Sequence, residues 1–209
     1  TSDLPAVARN DAFSLSLYTG QMCTAPQNIY VPRDGIATAE GRRSFDEVAK
    51  AITEGVQKLL GDPARAVEVL GAVQNRGVLD RIDKARSLGP ILLDATAVPH
   101  PQYPQAAIRT PLIVKLDAGD GDKYLSEWFG PIAFVIATDS TDQSLAIARD
   151  AVKRHGALTL SLYSTDAKVV DRAIDVAEDA GVALSINLTG GVFVNQSAAF
   201  SDFHGTGAN

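Results

Sequence analysis

The sequence predicts an α/β protein of three layers (αβα), with helices on both faces of a mostly parallel sheet. Three observations predict it. The apolar runs at residues 112–116 and 132–137 show no polar alternation, which suits strands covered on both faces. Segments of helical periodicity alternate with these runs along the chain. Over residues 132–188, strand, helix, strand, helix and strand follow one another at the spacing of parallel crossovers.

The clearest helix covers residues 45–60, where Phe45, Val48, Ala49, Ile52, Val56, Leu59 and Leu60 recur at helical spacing. Ser44 and Glu47 fit a capping box, in which each side chain satisfies an orphan backbone N–H. Gly61 suits the left-handed position that ends a helix. A second helix is predicted over 72–88, with Val73, Val78, Ile82 and Ala85 inward and Gly89-Pro90 as its stop. Residues 91–93 read as a short strand. Pro99, Pro101, Pro104 and Pro111 bound or punctuate residues 95–110, which read as a loop. After the strand at 112–116 comes a turn at 117–122, then the buried strand at 132–137. A helix at 143–155, a strand at 158–163, a helix at 166–180 and a strand at 182–188 complete the pattern. Ser164 or Thr165 is the expected cap of the last helix, and Gly156 and Gly181 the expected helix ends. From Gly190 the chain is rich in Gly and Ser, with little periodicity. No linker interrupts the pattern, so residues 1–209 read as a single domain.

Composition excludes several function classes. Hydrophobic residues at 45% and charged residues at 21% are the proportions of a folded domain, not of a disordered chain. The longest apolar runs are too short to span a bilayer. A net charge of -6 disfavours nucleic acid or an anionic membrane as the main partner. The single cysteine excludes an intrachain disulfide and any multi-cysteine metal site. His100, His155 and His204 lack metal-ligand spacing, so no metal is expected. The chain begins at Thr1, its only methionine is Met22, and no charged-then-apolar leader opens it. These features lead to the expectation of a cytoplasmic location and of a piece of a longer protein.

Two segments carry candidate chemistry. Cys23 follows Gly20-Gln21-Met22 between the apolar Phe13, Leu15, Leu17 and Tyr18 and the strand-like Ile29-Tyr30-Val31. One reading is a small buried hydrophobe at a turn. The other is a nucleophile. A cysteine after a glycine turn, in the first turn of a short helix, faces unpaired N–H groups that favour the thiolate and a nearby oxyanion. The second segment, Glu127-Trp128-Phe129-Gly130-Pro131, lies in the loop before the strand at 132–137. Its aromatics pack down as in an ordinary loop, or Glu127 accepts hydrogen bonds from ligand hydroxyls and Phe129 offers a flat apolar wall. Gly190-Gly191 and Gly205-Thr206-Gly207 lack dinucleotide-loop spacing and read as turns. Asp117, Asp120 and Asp122 fail the spacing of a calcium loop.

Taken in order along an alternating α/β chain, these segments resemble the aldehyde dehydrogenase superfamily. Gly20-Gln21-Met22-Cys23 is similar to its cysteine signature, and Glu127-Trp128-Phe129-Gly130-Pro131 to its Glu-x-Phe-Gly-Pro signature. Val192-Phe193-Val194-Asn195 and the closing glycines resemble its C-terminal pattern. The resemblance covers essentially the whole chain but only the catalytic half of the family's subunit. It implies Cys23 as the nucleophile that adds to a small-molecule aldehyde and later carries the acyl group as a thioester. It implies that the Cys23 backbone N–H contributes to the oxyanion site, that Glu127 holds the nicotinamide ribose and that Phe129 buttresses the ring. NAD or NADP is the implied cofactor, water or coenzyme A the acyl acceptor, and a homo-oligomer the implied assembly.

Two departures from the family pattern matter. Its usual Arg after the cysteine is replaced by Pro26-Gln27-Asn28, and Ala25-Pro26-Gln27-Asn28 resembles the phenylacetate-degradation branch, which handles a ring-opened semialdehyde. The Glu-Leu-Gly-Gly stretch with the family's general base is absent, as is a cofactor-binding glycine turn. A cofactor domain is therefore expected upstream, and the isolated chain is expected to be inactive. Two alternatives stay open: a non-catalytic α/β assembly or binding module, and a cysteine-nucleophile hydrolase or acyltransferase with a partner histidine among His100, His155 and His204.

Overall fold

The computed structural model describes residue 1 and residues 3–189. The chain runs α1 (Leu4–Ser16), β1 (Asn28–Pro32), β2 (Ile36–Thr38), β3 (Gly41–Arg43), α2 (Phe45–Leu60), α3 (Pro63–Leu70) and α4 (Arg76–Ala85). It continues β4 (Ile91–Leu93), β5 (Leu112–Asp117), α5 (Gly121–Tyr124), β6 (Ile132–Thr138), α6 (Thr141–His155), β7 (Thr159–Leu162), α7 (Ala167–Ala180) and β8 (Ala183–Ile186).

The main sheet has the strand order β1-β6-β5-β4. β6 pairs in parallel with β1 and β5, and β4 closes one edge antiparallel to β5. Side chains alternate across it, as a pleated strand requires. Ile113, Ala133, Val135 and Ala137 pack with Leu15 of α1 and Val48, Ile52 and Val56 of α2. Leu112, Val114, Ile132, Phe134 and Ile136 pack on the other face with Val78, Ile82 and Ala85 of α4. Every residue of β6 is buried. Two apolar faces explain why β5 and β6 carry unbroken apolar runs, and they make the sheet the middle of three layers, as expected.

Helix ends follow local chemistry. The Ser44–Glu47 capping box forms as expected. Asp3, Asp62, Asn75, Ser140 and Asp166 each accept a backbone N–H at the start of a helix. α1 approaches α2 closely at Gly55, where a Cβ would lie 2.8 Å from the Ala8 carbonyl oxygen.

The structure corrects several boundaries. The helix expected over 72–88 is α4 alone, because Asn75 caps it and the Val73 N–H instead donates to the Ala107 carbonyl. Gly61 is right-handed, with φ -67°, and the chain passes directly to the Asp62 cap of α3. α7 is capped by Asp166 and not by the expected Ser164 or Thr165. β7 and β8 pair in parallel in a sheet of their own instead of extending the main sheet. Both sides of β6 are already occupied by β1 and β5. The tail from Gly190, with Val192, Phe193, Val194, Asn195 and His204, lies outside the described residues.

Candidate active site

The route into the cysteine segment is a strained turn. After α1, a single 3-10 turn, Leu17–Gly20, places Tyr18, Thr19 and Gly20 in succession at φ 52°, 56° and 61°. Left-handed backbone costs a non-glycine residue roughly 1–2 kcal/mol, so such a run persists only when its surroundings hold it. Here they do. The buried Thr19 hydroxyl is directed at the carbonyls of Leu70 and Gly71, at 2.7 and 2.8 Å. Gln21 Nε2 donates to the carbonyls of Tyr18 and Ala72, and Gln21 Oε1 accepts from the Gln74 N–H at 2.9 Å.

Beyond this turn Cys23 lies exposed. Its local structure is a tight turn closed by the Ala25 N–H donating to the Met22 carbonyl, 3.1 Å. The expectation of Cys23 in the first turn of a helix is therefore corrected: no helix includes it, and the next element is β1. The expectation of a buried hydrophobe also fails, since the side chain faces solvent.

The two sequence segments meet through their glycines. A Cβ on Gly20 would lie 2.6 Å from the Gly130 carbonyl oxygen and 2.6 Å from Pro131 Cα, so only glycine permits this approach. Gly130 has φ 138°, and a Cβ there would lie 2.8 Å from Val78 Cγ1 of α4. The cysteine turn thus rests on the Glu127–Pro131 loop, which rests on α4.

Polar side chains fix the loop further. Gln27 Nε2 donates to the carbonyls of Tyr124 (2.9 Å) and Ser126 (3.1 Å), and Gln27 Oε1 accepts from the Trp128 N–H at 2.7 Å. Asn28 Nδ2 donates to the Tyr124 carbonyl, 3.2 Å. Arg81 Nε of α4 donates to the Phe129 carbonyl, 2.7 Å. Trp128 turns inward, its indole N–H on the Lys123 carbonyl and its ring edge-on to Phe134. Glu127 and Phe129 turn outward and are exposed. The loop therefore presents a carboxylate and an apolar ring on either side of an anchored tryptophan. Sequence reading missed Thr19, Gln21, Gln27 and Arg81. Gln21 and Gln27 stand in the quoted segments around Cys23, but hydropathy patterning assigns no partner to an amide, and Thr19 and Arg81 meet carbonyls 51 and 48 residues away.

Other candidates lie apart from this arrangement. His100 Nδ1 accepts the N–H groups of Gln102 and Tyr103 within its own turn. His155 ends α6 and is exposed. Among the described residues no group of His, Cys, Asp or Glu is placed to hold a metal ion. No described helix is long and apolar enough to cross a membrane. A hollow of about 400 Å³ lies between α4 and residues 107–109, and neither Cys23, Glu127 nor Phe129 lines it. On α1, burial pushes the Asp11 carboxyl up to about 7. Next to it, Asn10 Nδ2 donates to the Tyr163 hydroxyl.

The chain matches the aldehyde dehydrogenase family over residues 1–206. No curated protein matches it. Among solved structures, an NAD-dependent aldehyde dehydrogenase from Burkholderia multivorans is 66% identical, with a TM-score of 0.94. The match covers 100% of this chain and 37% of that one, so the chain spans little more than a third of that protein's length. Proline utilization A from Bdellovibrio bacteriovorus is 23% identical over 93% of this chain and 19% of its own, with a TM-score of 0.67. An NAD-dependent benzaldehyde dehydrogenase from Corynebacterium glutamicum is 22% identical over 93% of this chain and 39% of its own, with a TM-score of 0.62. The latter two show a shared fold.

Proposed function

The chain belongs to the aldehyde dehydrogenase family, and from that premise we propose that it is the catalytic portion of an NAD-dependent enzyme that oxidises a small aldehyde through Cys23. The observation that carries this reading is the seating of Gly20 on Gly130 and Pro131, which joins an exposed thiol to an exposed carboxylate loop.

The chemistry follows from the thiol. An sp² aldehyde carbon does not release hydride until a nucleophile makes it tetrahedral. The Cys23 thiolate adds to that carbon to give a thiohemiacetal, and loss of hydride leaves a thioester on Cys23. Bound NAD supplies the hydride acceptor. Glu127 would accept hydrogen bonds from the ribose hydroxyls, and Phe129 would back the nicotinamide ring. An exposed carboxylate beside an exposed apolar ring on a pinned loop fits such a group. Water or coenzyme A then takes the acyl group. The general base and most of the cofactor site belong to an upstream domain, so this chain alone is inactive. Ala25-Pro26-Gln27-Asn28 favours a ring-opened semialdehyde of phenylacetate degradation as substrate. The full-length enzyme works in the cytoplasm as a homo-oligomer. A hydrolase reading is disfavoured at His100, whose Nδ1 is already engaged by its own turn.

Replacing Cys23 tests the proposal. In the full-length enzyme, Cys23→Ala and Cys23→Ser are expected to abolish NADH formation from a panel of aldehydes. An exposed position tolerates either change within about 0.5 kcal/mol, so thermal unfolding should not move. NADH formation by Cys23→Ala would overturn the reading.

A further inference from the structure

We propose that Gln27 is a positioning residue for the cofactor: its carboxamide fastens the backbone on both sides of Glu127 to the cysteine loop and so holds the Glu127 carboxylate in register with the thiol. The inference deepens the proposed function and rests on Glu127 gripping the ribose.

At the ends of the loop between α5 and β6 the Leu125 N–H donates to the Gly121 carbonyl and the Pro131 carbonyl accepts from the Leu112 N–H, and side chains shape the stretch between them. One peptide group beside Glu127 contributes the Ser126 carbonyl and the other contributes the Trp128 N–H. Gln27 bonds to both, at 3.1 and 2.7 Å. It also reaches the Tyr124 carbonyl, where the loop begins. Its own carbonyl accepts from the Phe134 N–H at 2.7 Å, so the clamp is anchored on buried β6.

The demand on side-chain chemistry is narrow. The position needs donors toward two carbonyls and an acceptor toward an N–H, on a chain long enough to reach. A glutamate keeps the acceptor but sets a carboxylate against the carbonyls of Tyr124 and Ser126. Lysine and arginine have no acceptor for the Trp128 N–H. Asn28 duplicates only the bond to the Tyr124 carbonyl.

The test is a double-mutant cycle on the full-length enzyme, with cofactor and aldehyde varied separately. Gln27→Met keeps the bulk and removes the hydrogen bonds. It should raise the KM for NAD roughly tenfold, the equivalent of one or two lost hydrogen bonds. The KM for aldehyde, kcat at saturating NAD and the alkylation rate of Cys23 should stay near wild type. Gln27→Glu should be no better. Glu127→Gln should raise the KM for NAD by itself, and adding Gln27→Met should then cost little more, because Gln27 acts through Glu127. Hydrogen exchange at the Trp128 amide should quicken in Gln27→Met.

Independent, multiplying effects in the double mutant would overturn the proposal. So would a general loss in which melting temperature and aldehyde KM shift together with the KM for NAD. If Glu127→Gln raises the KM for NAD while Gln27→Met is silent, the positioning role alone fails. If Glu127→Gln is itself silent, the ribose reading fails and the Gln27 role falls with it.

Discussion

Strands β5 and β6 adjoin the loops that carry Cys23 and Glu127, with the Gln27 carbonyl on the Phe134 N–H and the Pro131 carbonyl on the Leu112 N–H, yet different forces hold them. In the strands, Ile113, Val114, Phe134 and Val135 are 0% exposed, Ile113 and Val135 packed on one face of the sheet and Val114 and Phe134 on the other. In the loops, Cys23, Glu127 and Phe129 face solvent. Their backbone is shaped by side chains of Thr19, Gln21, Gln27, Asn28 and Arg81 that end on main-chain groups. Burial of apolar area fixes where the loops start, and directional hydrogen bonds fix what they present. Stability and site geometry should therefore respond to different substitutions.

The largest expected effect is on the strands. Phe134→Ala empties a fully buried position that Trp128 packs against, and should destabilise by about 3–5 kcal/mol in denaturant unfolding. A loss below about 1 kcal/mol would show that the core is not what supports the loops.

Asp11 tests a polar group inside the apolar layers. Its folded carboxyl is raised from 3.8 to about 7 by burial. The folded state keeps its proton where the unfolded state has lost it, so stability should fall as pH rises from about 4 to about 7 and then level off. Asp11→Asn should flatten that slope and, above pH 7, be more stable by up to roughly 4 kcal/mol, three units at about 1.36 kcal/mol each. A wild-type pH profile without this slope would contradict the burial.

Gly20→Ala works at the joint between the two regions. The new methyl meets backbone atoms at 2.6 Å and a φ of 61°, so either the turn or the Gly130 loop must move. We expect about 1–3 kcal/mol of lost stability and a larger proportional loss of turnover in the full-length enzyme. Unchanged turnover would separate the joint from function.

The smallest effect on stability belongs to Glu127→Gln, within about 0.5 kcal/mol for an exposed side chain. Its effect should appear instead in the KM for cofactor, roughly tenfold, as one charge-assisted hydrogen bond is weakened. A melting shift with no change in that KM would reverse the assignment.

The same division explains what could be read from the chain. β5, β6, α2, α6 and α7 announce themselves through apolar runs or periodicity, and α2 also through its capping box, since both record burial and helix ends. α1 was not recognised, because Asn10, Asp11, Ser14 and Ser16 are buried among its apolar residues and blur the stripe. The short hairpin of β2 and β3 has exposed or half-buried positions throughout and no alternation to detect. Cys23 and the Glu127–Pro131 segment were legible as motifs. The clamps were not, because Gln27 and Tyr124 are 97 residues apart and only the fold brings an amide to a distant carbonyl.

The central claim is that Cys23 is the nucleophile. Its most direct test is intact-protein mass spectrometry of the full-length enzyme, trapped with aldehyde and NAD and digested to locate the adduct. The account predicts an acyl group on the peptide containing Cys23, absent when NAD is withheld and absent in Cys23→Ala. An acyl adduct found consistently on another residue, or an enzyme still active as Cys23→Ala, would contradict it.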